Sequence, residues 1–282
     1  MAGLPATIPV TELSLIKDDH DLVPLLRSTS NELLDPLVGY LTADGEGRIS
    51  SELDITDAYK TYYPDHLKYV DEISAELQLF GGNTIANQIR GCGVRYAEIC
   101  RDVAKGLKVN FNETASVENI EGQILMKVLE DAWDKMSDAE KRAFLKELGI
   151  NNKILPTALP LLAVQAAMRA SGFLAYRIAV IVANAVAKII LGRGLTFATN
   201  RALTKGLSVL AGPIGLAIAA LWTAYDLAGP AYRVTIPSVI QVALIRQDSM
   251  TTQCSNGHVN AHTAKFCPEC GENLMGSDRL AS

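Results

Sequence analysis

Between Lys205 and Asp226 the sequence reads GLSVLAGPIGLAIAALWTAY (residues 206–225), twenty positions without a charge. A second apolar run, AGPAYRVTIPSVIQVALIR (228–246), follows and is interrupted only by Arg233 before Arg246 closes it. Twenty uncharged residues just suffice to cross a bilayer core as a helix. They also suit the central helix of a soluble bundle, and Gly206, Gly212, Pro213 and Gly215 weaken the stretch as a free-standing span. Ala211, Gly215, Ala219 and Thr223 fall four apart, a spacing of small side chains that lets another backbone approach closely, and Trp222 and Tyr225 stand at one end as candidate interfacial anchors. The stretch therefore reads as a packed, glycine-rich core helix that can approach a membrane.

Upstream, residues 157–190 hold only Arg169, Arg177 and Lys188 as charges, with Gly172 as a break. The run IAVIVANAVA (178–187) is too short to span alone. Extending it through AMRASGFLAY (167–176) would bury two arginines, each at about 2.5–3.5 kcal/mol at a helix centre. A buried or interfacial helix fits better. Arg193, Arg201 and Lys205 then lie on RGLTFATNRALTKGL (193–207), which reads as a short amphipathic helix suited to a membrane surface or an acidic partner.

The charge is divided along the chain. The overall formal charge of -5 conceals a net -11 over residues 1–150, +8 over 151–247 and -2 over 248–282. A basic, apolar segment attracts anionic headgroups or an acidic protein surface, and the nearest acidic surface is the chain's own N-terminal half. At 49% hydrophobic residues the chain can build a large core, which excludes disorder for most of its length. MAGLPATIPVTELSL (1–15) lacks the basic and apolar regions of a secretory signal, so a cytoplasmic protein is expected. Five clustered cysteines agree with a reducing compartment.

The N-terminal half reads as helices. Thr29 and Glu32 form a capping-box pair ahead of the Leu33, Leu34, Leu37, Val38, Leu41 stripe. The acidic turn Asp44-Gly45-Glu46-Gly47 lacks the calcium-loop pattern of an EF-hand. Leu67, Val70, Ile73, Leu77 and Phe80 mark a helix over 65–80 that ends in left-handed geometry at Gly81-Gly82, and Asn83 is placed to cap a helix running through Tyr96, Ile99 and Val103 to Gly106. Residues 117–149 form a helical hairpin, its second helix opened by the capping box of Ser137 and Glu140 and closed by Gly149.

Two segments, ELQLFGGNTIANQIRGCGVRYAEI (76–99) and GPAYRVTIPSVIQVALIR (229–246), resemble the YaaW family of bacterial proteins, which is grouped with the ubiquinol-cytochrome c chaperones. The resemblance covers roughly residues 20–247. It implies an all-helical fold and no known catalytic residues, and a chaperone role comes with it only by analogy.

The sharpest chemistry lies in the tail, CSNGHVNAHTAKFCPECGENL (254–274). Cys267-Pro-Glu-Cys270-Gly is a knuckle in which two thiolates converge on a metal while glycine permits the tight turn. The opposite knuckle has Gly257 where a second cysteine is usual, and His258 follows it. Cys254, His258, Cys267 and Cys270 therefore form a three-cysteine, one-histidine set with zinc spacing, similar to the short zinc ribbons appended to many bacterial proteins, and His262 is the alternative fourth ligand. Four protein ligands leave no open position, so the expected zinc is structural. The ribbon's net -2 argues against nucleic acid, which needs Lys and Arg.

The expected architecture is an all-α multi-helix bundle with an apolar, glycine-rich C-terminal helical half and a small zinc-ribbon tail. Its segments are an acidic region 1–150, an apolar basic region 151–247 packed with it, and the ribbon 248–282. The expected function is a non-enzymatic, chaperone-like interaction or assembly protein with a protein partner. It is cytoplasmic and peripheral at the inner membrane, with an anionic membrane surface as a second contact and the ribbon as a protein-contact module. The alternatives are a membrane-active effector whose apolar helices insert conditionally, and an enzyme of unrecognised type. Against the latter, the chain has no G-x-S-x-G elbow and no phosphate-binding glycine-lysine loop, and only His20 and His66 lie outside the tail.

Overall fold

A computed structural model describes residues 18–42, 53–81, 93–147, 164, 172–195, 215–216 and 232–275. These are mostly helical with one two-stranded sheet, as the all-α reading expects. The helices are α1 (Val23–Arg27), α2 (Asn31–Thr42), α3 (Asp57–Tyr62), α4 (Val70–Phe80), α5 (Tyr96–Gly106), α6 (Val117–Trp133), α7 (Asp138–Glu147), α8 (Gly172–Ile190) and α9 (Tyr232–Ser249), followed by β1 (Thr251–Gln253) and β2 (Val259–Ala261). The chain groups into two compact units, Met1–Ile124 with Ala220–Ile245 and Leu125–Ala219 with Arg246–Ser282.

In the first unit α9 is the core helix. Every residue from Val234 to Ile245 is buried, which is the signature of a helix enclosed on all sides. Its polar residues must then find partners inside, and Gln241 Nε2 donates to the Leu33 carbonyl of α2 at 2.8 Å. α5 shows the one-sided pattern instead, with Tyr96, Ile99, Cys100, Val103 and Ala104 buried at steps of three and four. Asp19, 2% exposed, reaches the start of α5, where its Oδ2 accepts from the Tyr96 backbone N–H at 2.8 Å and from Gln78 Nε2 at 3.0 Å. It supplies from 77 residues away the cap that Arg95, the local N-cap residue, does not provide.

In the second unit Trp133 and Phe144 pack edge-on, with ring centroids 6.2 Å apart, across the α6–α7 turn. The predicted capping box opens α7: Ser137 N–H and Oγ donate to Glu140 Oε2 at 2.8 and 2.7 Å, holding that carboxyl below its usual range. α8 is apolar and long enough to cross a membrane, the one such helix among the described residues, and 72% of Phe173–Ile190 is buried inside the protein. Of its charges, Arg177 is half-buried over the Phe173 ring at 5.4 Å, and Lys188 is exposed. That agrees with the buried-helix reading.

Several details depart from the sequence reading. The first carbonyl of α2 to accept a helical bond is that of Ser30, one residue past the predicted Thr29 cap. Residues 66–69 form a 3-10 turn ahead of α4, and its tighter winding turns Leu67 out of the apolar stripe to 41% exposure. Gly81 is right-handed (φ -70°), so its need for glycine is packing: a Cβ there would sit 2.2 Å from Ile99 Cγ1. Of the helix predicted from Asn83 to Gly106, residues 83–92 lie outside the described residues, residues 93–95 are not helical, with Val94 N–H on the Gln78 carbonyl, and α5 starts at Tyr96. Arg193 follows a left-handed Gly192 and is not helical, so the predicted amphipathic helix does not begin there. α9 continues past Arg246 to Ser249. The Asp44–Gly47 turn, Asn83, Gly149, Arg169, Arg201, Lys205 and the 206–225 run apart from 215–216 lie outside the described residues.

Candidate metal centre

The tail begins as a β-hairpin. β1 and β2 pair antiparallel in the register Thr251↔Ala261, Thr252↔Asn260 and Gln253↔Val259, which leaves 254–258 as the connecting turn with a predicted ligand at each end. Cys254 N–H donates to the His258 carbonyl at 3.1 Å and Gly257 N–H to the Cys254 carbonyl at 2.9 Å. Closing so short a loop requires a left-handed residue, and Gly257 supplies it at φ +78°. The glycine in place of the usual second cysteine is thus the turn residue that delivers His258.

The second knuckle is built the same way from backbone bonds. Phe266 bridges Asn273, Cys267 N–H donates to the Glu272 carbonyl at 2.8 Å, and Gly271 N–H donates to the Cys267 carbonyl at 2.8 Å with φ +75°. Cys267 and Cys270 are presented together, Cys267 buried and Cys270 exposed.

The two knuckles face each other. The donor atoms of Cys254, His258, Cys267 and Cys270 all lie within 4.8 Å of one another. His258 Nδ1 is 3.4 Å from Cys254 Sγ and 3.7 Å from Cys267 Sγ, and the Cys254 and Cys270 sulfurs are 3.7 Å apart. A tetrahedral zinc has Zn–S bonds of about 2.3 Å and Zn–N bonds of about 2.0–2.1 Å, which places its sulfurs roughly 3.8 Å apart and sulfur and nitrogen roughly 3.6 Å apart. The separations match those of ligands around one ion, so the donor set fits a metal. His262, the alternative fourth ligand, is exposed and stands outside this cluster.

The electrostatics shift Cys270 toward its ligating form and hold Cys254 and His258 toward their protonated ones. A hydrogen bond from the Asn256 side chain, the Glu272 backbone N–H and His258 bring the Cys270 thiol down to about 6. Burial pushes Cys254 up, and the Cys270 and Cys267 sulfurs raise His258.

Sequence reasoning overlooked the supports. Glu272 joins the two knuckles: its carboxylate accepts from Ser255 N–H at 3.0 Å and Oγ at 2.8 Å, while its carbonyl receives Cys267. Asn260, 2% exposed, donates from Nδ2 to the His258 carbonyl at 2.7 Å. Glu272 directly follows the turn residue Gly271 and Asn260 stands two residues after His258, positions that invite such support. The hairpin also packs on α8, with Val259 and Asn260 buried.

Elsewhere, His66 is 1% exposed, with Nδ1 2.6 Å from the Tyr69 hydroxyl and Nε2 3.6 Å from Asp35. Burial raises the Tyr69 hydroxyl far above its usual range, consistent with a satisfied interior cluster. Cys100 is fully buried.

No solved structure matches the chain. The family model described as ubiquinol-cytochrome C chaperone matches residues 65–240. A UPF0174 protein of Helicobacter pylori is 44% identical over 242 residues, covering 85% of this chain and 94% of the relative. A second from that species is 39% identical over 203 residues, 70% of this chain and 97% of the relative. The UPF0174 protein YaaW of Escherichia coli is 35% identical over 243 residues, 84% of this chain and 97% of the relative. On these matches the chain belongs to the ubiquinol-cytochrome C chaperone family, among its UPF0174 (YaaW) proteins.

Proposed function

We propose that this protein is a non-enzymatic, chaperone-like assembly factor that acts on a protein partner, and that its tail is a structural zinc ribbon. The observation that carries the first statement is the family match over residues 65–240, whose description names a chaperone. The second rests on four donors at tetrahedral zinc separations, three of them thiolate-forming, a set that selects zinc among the common divalent ions. When bound, zinc cross-links the two knuckles with no position left for a substrate. Cys254 and His258 hold the hairpin end, Cys267 and Cys270 hold the second loop, and Glu272 and Asn260 fix the orientation of both. A ribbon closed in this way presents a fixed surface for a partner.

Peripheral membrane contact in the cytoplasm is the second part of the proposal, supported by the net +8 over residues 151–247. Purified protein should carry about one zinc per chain, and Cys267→Ser with Cys270→Ser should abolish it, as read by metal analysis. A metal content near zero in the natural protein refutes the zinc assignment. For the membrane contact, salt-sensitive co-flotation with vesicles rich in phosphatidylglycerol is expected, and its absence at low salt removes that part of the proposal.

A further inference from the structure

The three ligand sulfurs differ in what can reach them. Cys254 is 4% exposed and Cys267 1%, whereas Cys270 is exposed. Cys100 is 0% exposed. A ribbon that served only as a rigid clip would be best protected with every sulfur enclosed. This one leaves a single ligand residue, Cys270, on the solvent side, with the Cys254 sulfur 3.7 Å from its own.

Reactivity toward electrophilic oxidants follows thiolate character and exposure together. Both are present at Cys270. A ligand sulfur is held as thiolate by the requirement of metal binding itself, and its exposure admits a small oxidant that the other two positions exclude. The neighbouring Cys254 sulfur is within reach of a side-chain rotation for closing a bond, and it lies on the opposite knuckle, 16 residues away.

We propose that Cys270 is a peroxide-reactive site and that, with Cys254 as resolving thiol, it makes the ribbon a redox-controlled metal clip; the metal-release part rests on the zinc reading above. The co-reactant is a hydroperoxide. The Cys270 thiolate attacks one peroxide oxygen, the O–O bond breaks, and sulfenic acid forms at Cys270 with hydroxide as leaving group. The Cys254 thiolate then attacks the Cys270 sulfur, the S–O bond breaks and a second hydroxide leaves. Two sulfurs have together lost two electrons, which reduce one peroxide to two hydroxides, taken up as water. Two of the four donors are consumed, and His258 and Cys267 alone do not hold the ion. Reduction by a dithiol restores the set.

The test uses the full-length natural protein under limiting hydrogen peroxide, with three measurements on one sample. Metal analysis before peroxide establishes the loaded state. A chromogenic chelator follows metal release, and mass spectrometry after dimedone trapping or after trypsin locates the oxidised sulfur. Trypsin cuts after Lys265, so a Cys254–Cys270 bridge joins two peptides, while a Cys267–Cys270 bridge stays within one. The expected result is dimedone on Cys270 first, then the joined peptides, with about one zinc released per bridge formed and Cys100 still reduced. Sulfenic acid forming first on Cys254 or Cys267, or a bridge within one peptide, overturns the assignment of attacking and resolving sulfurs. Loaded protein that keeps its metal while Cys270 is oxidised overturns the clip. Protein without metal before peroxide refutes the zinc reading instead, and the labelling still decides which sulfur reacts. Cys254→Ser provides the second variant: Cys270 should accumulate as sulfenic acid with no joined peptides, whether or not that variant retains metal.

Discussion

Replacing Gly257 by alanine isolates one cost, because a Cβ at that position meets nothing within 4 Å. What remains is the backbone. Gly257 stands at φ +78°, and holding an ordinary L-residue in the left-handed region costs roughly 1–2 kcal/mol. Alanine also narrows the unfolded ensemble, which returns about 0.4–1 kcal/mol. The net loss is therefore about 1 kcal/mol. Because a ribbon of this kind closes on its metal, that loss appears directly in zinc affinity as about a five-fold weakening. Competition against a chromogenic chelator at fixed pH measures it. Gly257→Asn should lose less than half as much, since asparagine tolerates the left-handed region. Gly122→Ala is the opposite case: Gly122 lies inside α6, a Cβ there also meets nothing within 4 Å, and the exchange should stabilise the protein by about 0.5–1 kcal/mol in chemical denaturation. A Gly257→Ala variant that binds zinc like the natural protein, or one weakened a hundred-fold or more, would refute the reasoning that only the turn conformation requires glycine.

Other expectations follow from particular contacts. Asp19→Ala leaves the Tyr96 N–H and Gln78 Nε2 buried without their acceptor and should cost roughly 2–4 kcal/mol in urea unfolding, whereas Asp18→Ala, which loses only an exposed pairing with Arg95, should cost roughly 0–1 kcal/mol. Ser137→Ala removes the hydroxyl's two contacts in the α7 cap, leaving the backbone N–H on Glu140, and should cost about 1 kcal/mol. The Glu140 carboxyl is held below its usual range, so its contribution is complete above the unfolded value and is lost as pH falls through the folded one; the Ser137→Ala difference should shrink on acidification in pH-dependent unfolding. Zinc binding requires thiolates, and Cys254 is raised while Cys270 is near 6, so uptake at pH 7.5 should release a proton from Cys254, and affinity should fall throughout the neutral range as pH drops and more steeply below pH 6, where Cys270 also takes up its proton. Calorimetry in buffers of different ionisation enthalpy counts those protons.

Much of the site was legible because metal ligation constrains both residue type and spacing. Cys254, His258, Cys267 and Cys270 could be named from the sequence, since few arrangements other than a metal ask for thiols and imidazole at those intervals. The choice between His258 and His262 was not legible, because it depends on where the hairpin turn closes, and only the register of Thr251 to Ala261 fixes that. Helices with a one-sided pattern, such as α5, were readable from periodicity. Their boundaries were less so, since Val94 pairs with Gln78 and Asp19 caps from a distance, and both are long-range contacts. The pairing of Glu272 with Ser255 carries no local pattern at all.

The enclosure of α9 has a consequence for the order in which this protein can be made. Synthesis proceeds from the N-terminus, and domains tend to fold as they emerge. Here the helices from α1 to α5 are completed long before residues 234–245, which belong to the same compact unit. Until that segment arrives, the Leu33 carbonyl of α2 lacks the Gln241 amide that caps it in the folded unit. The first unit is thus completed only late in translation, and any message truncated before codon 234 yields that unit without its fully buried helix.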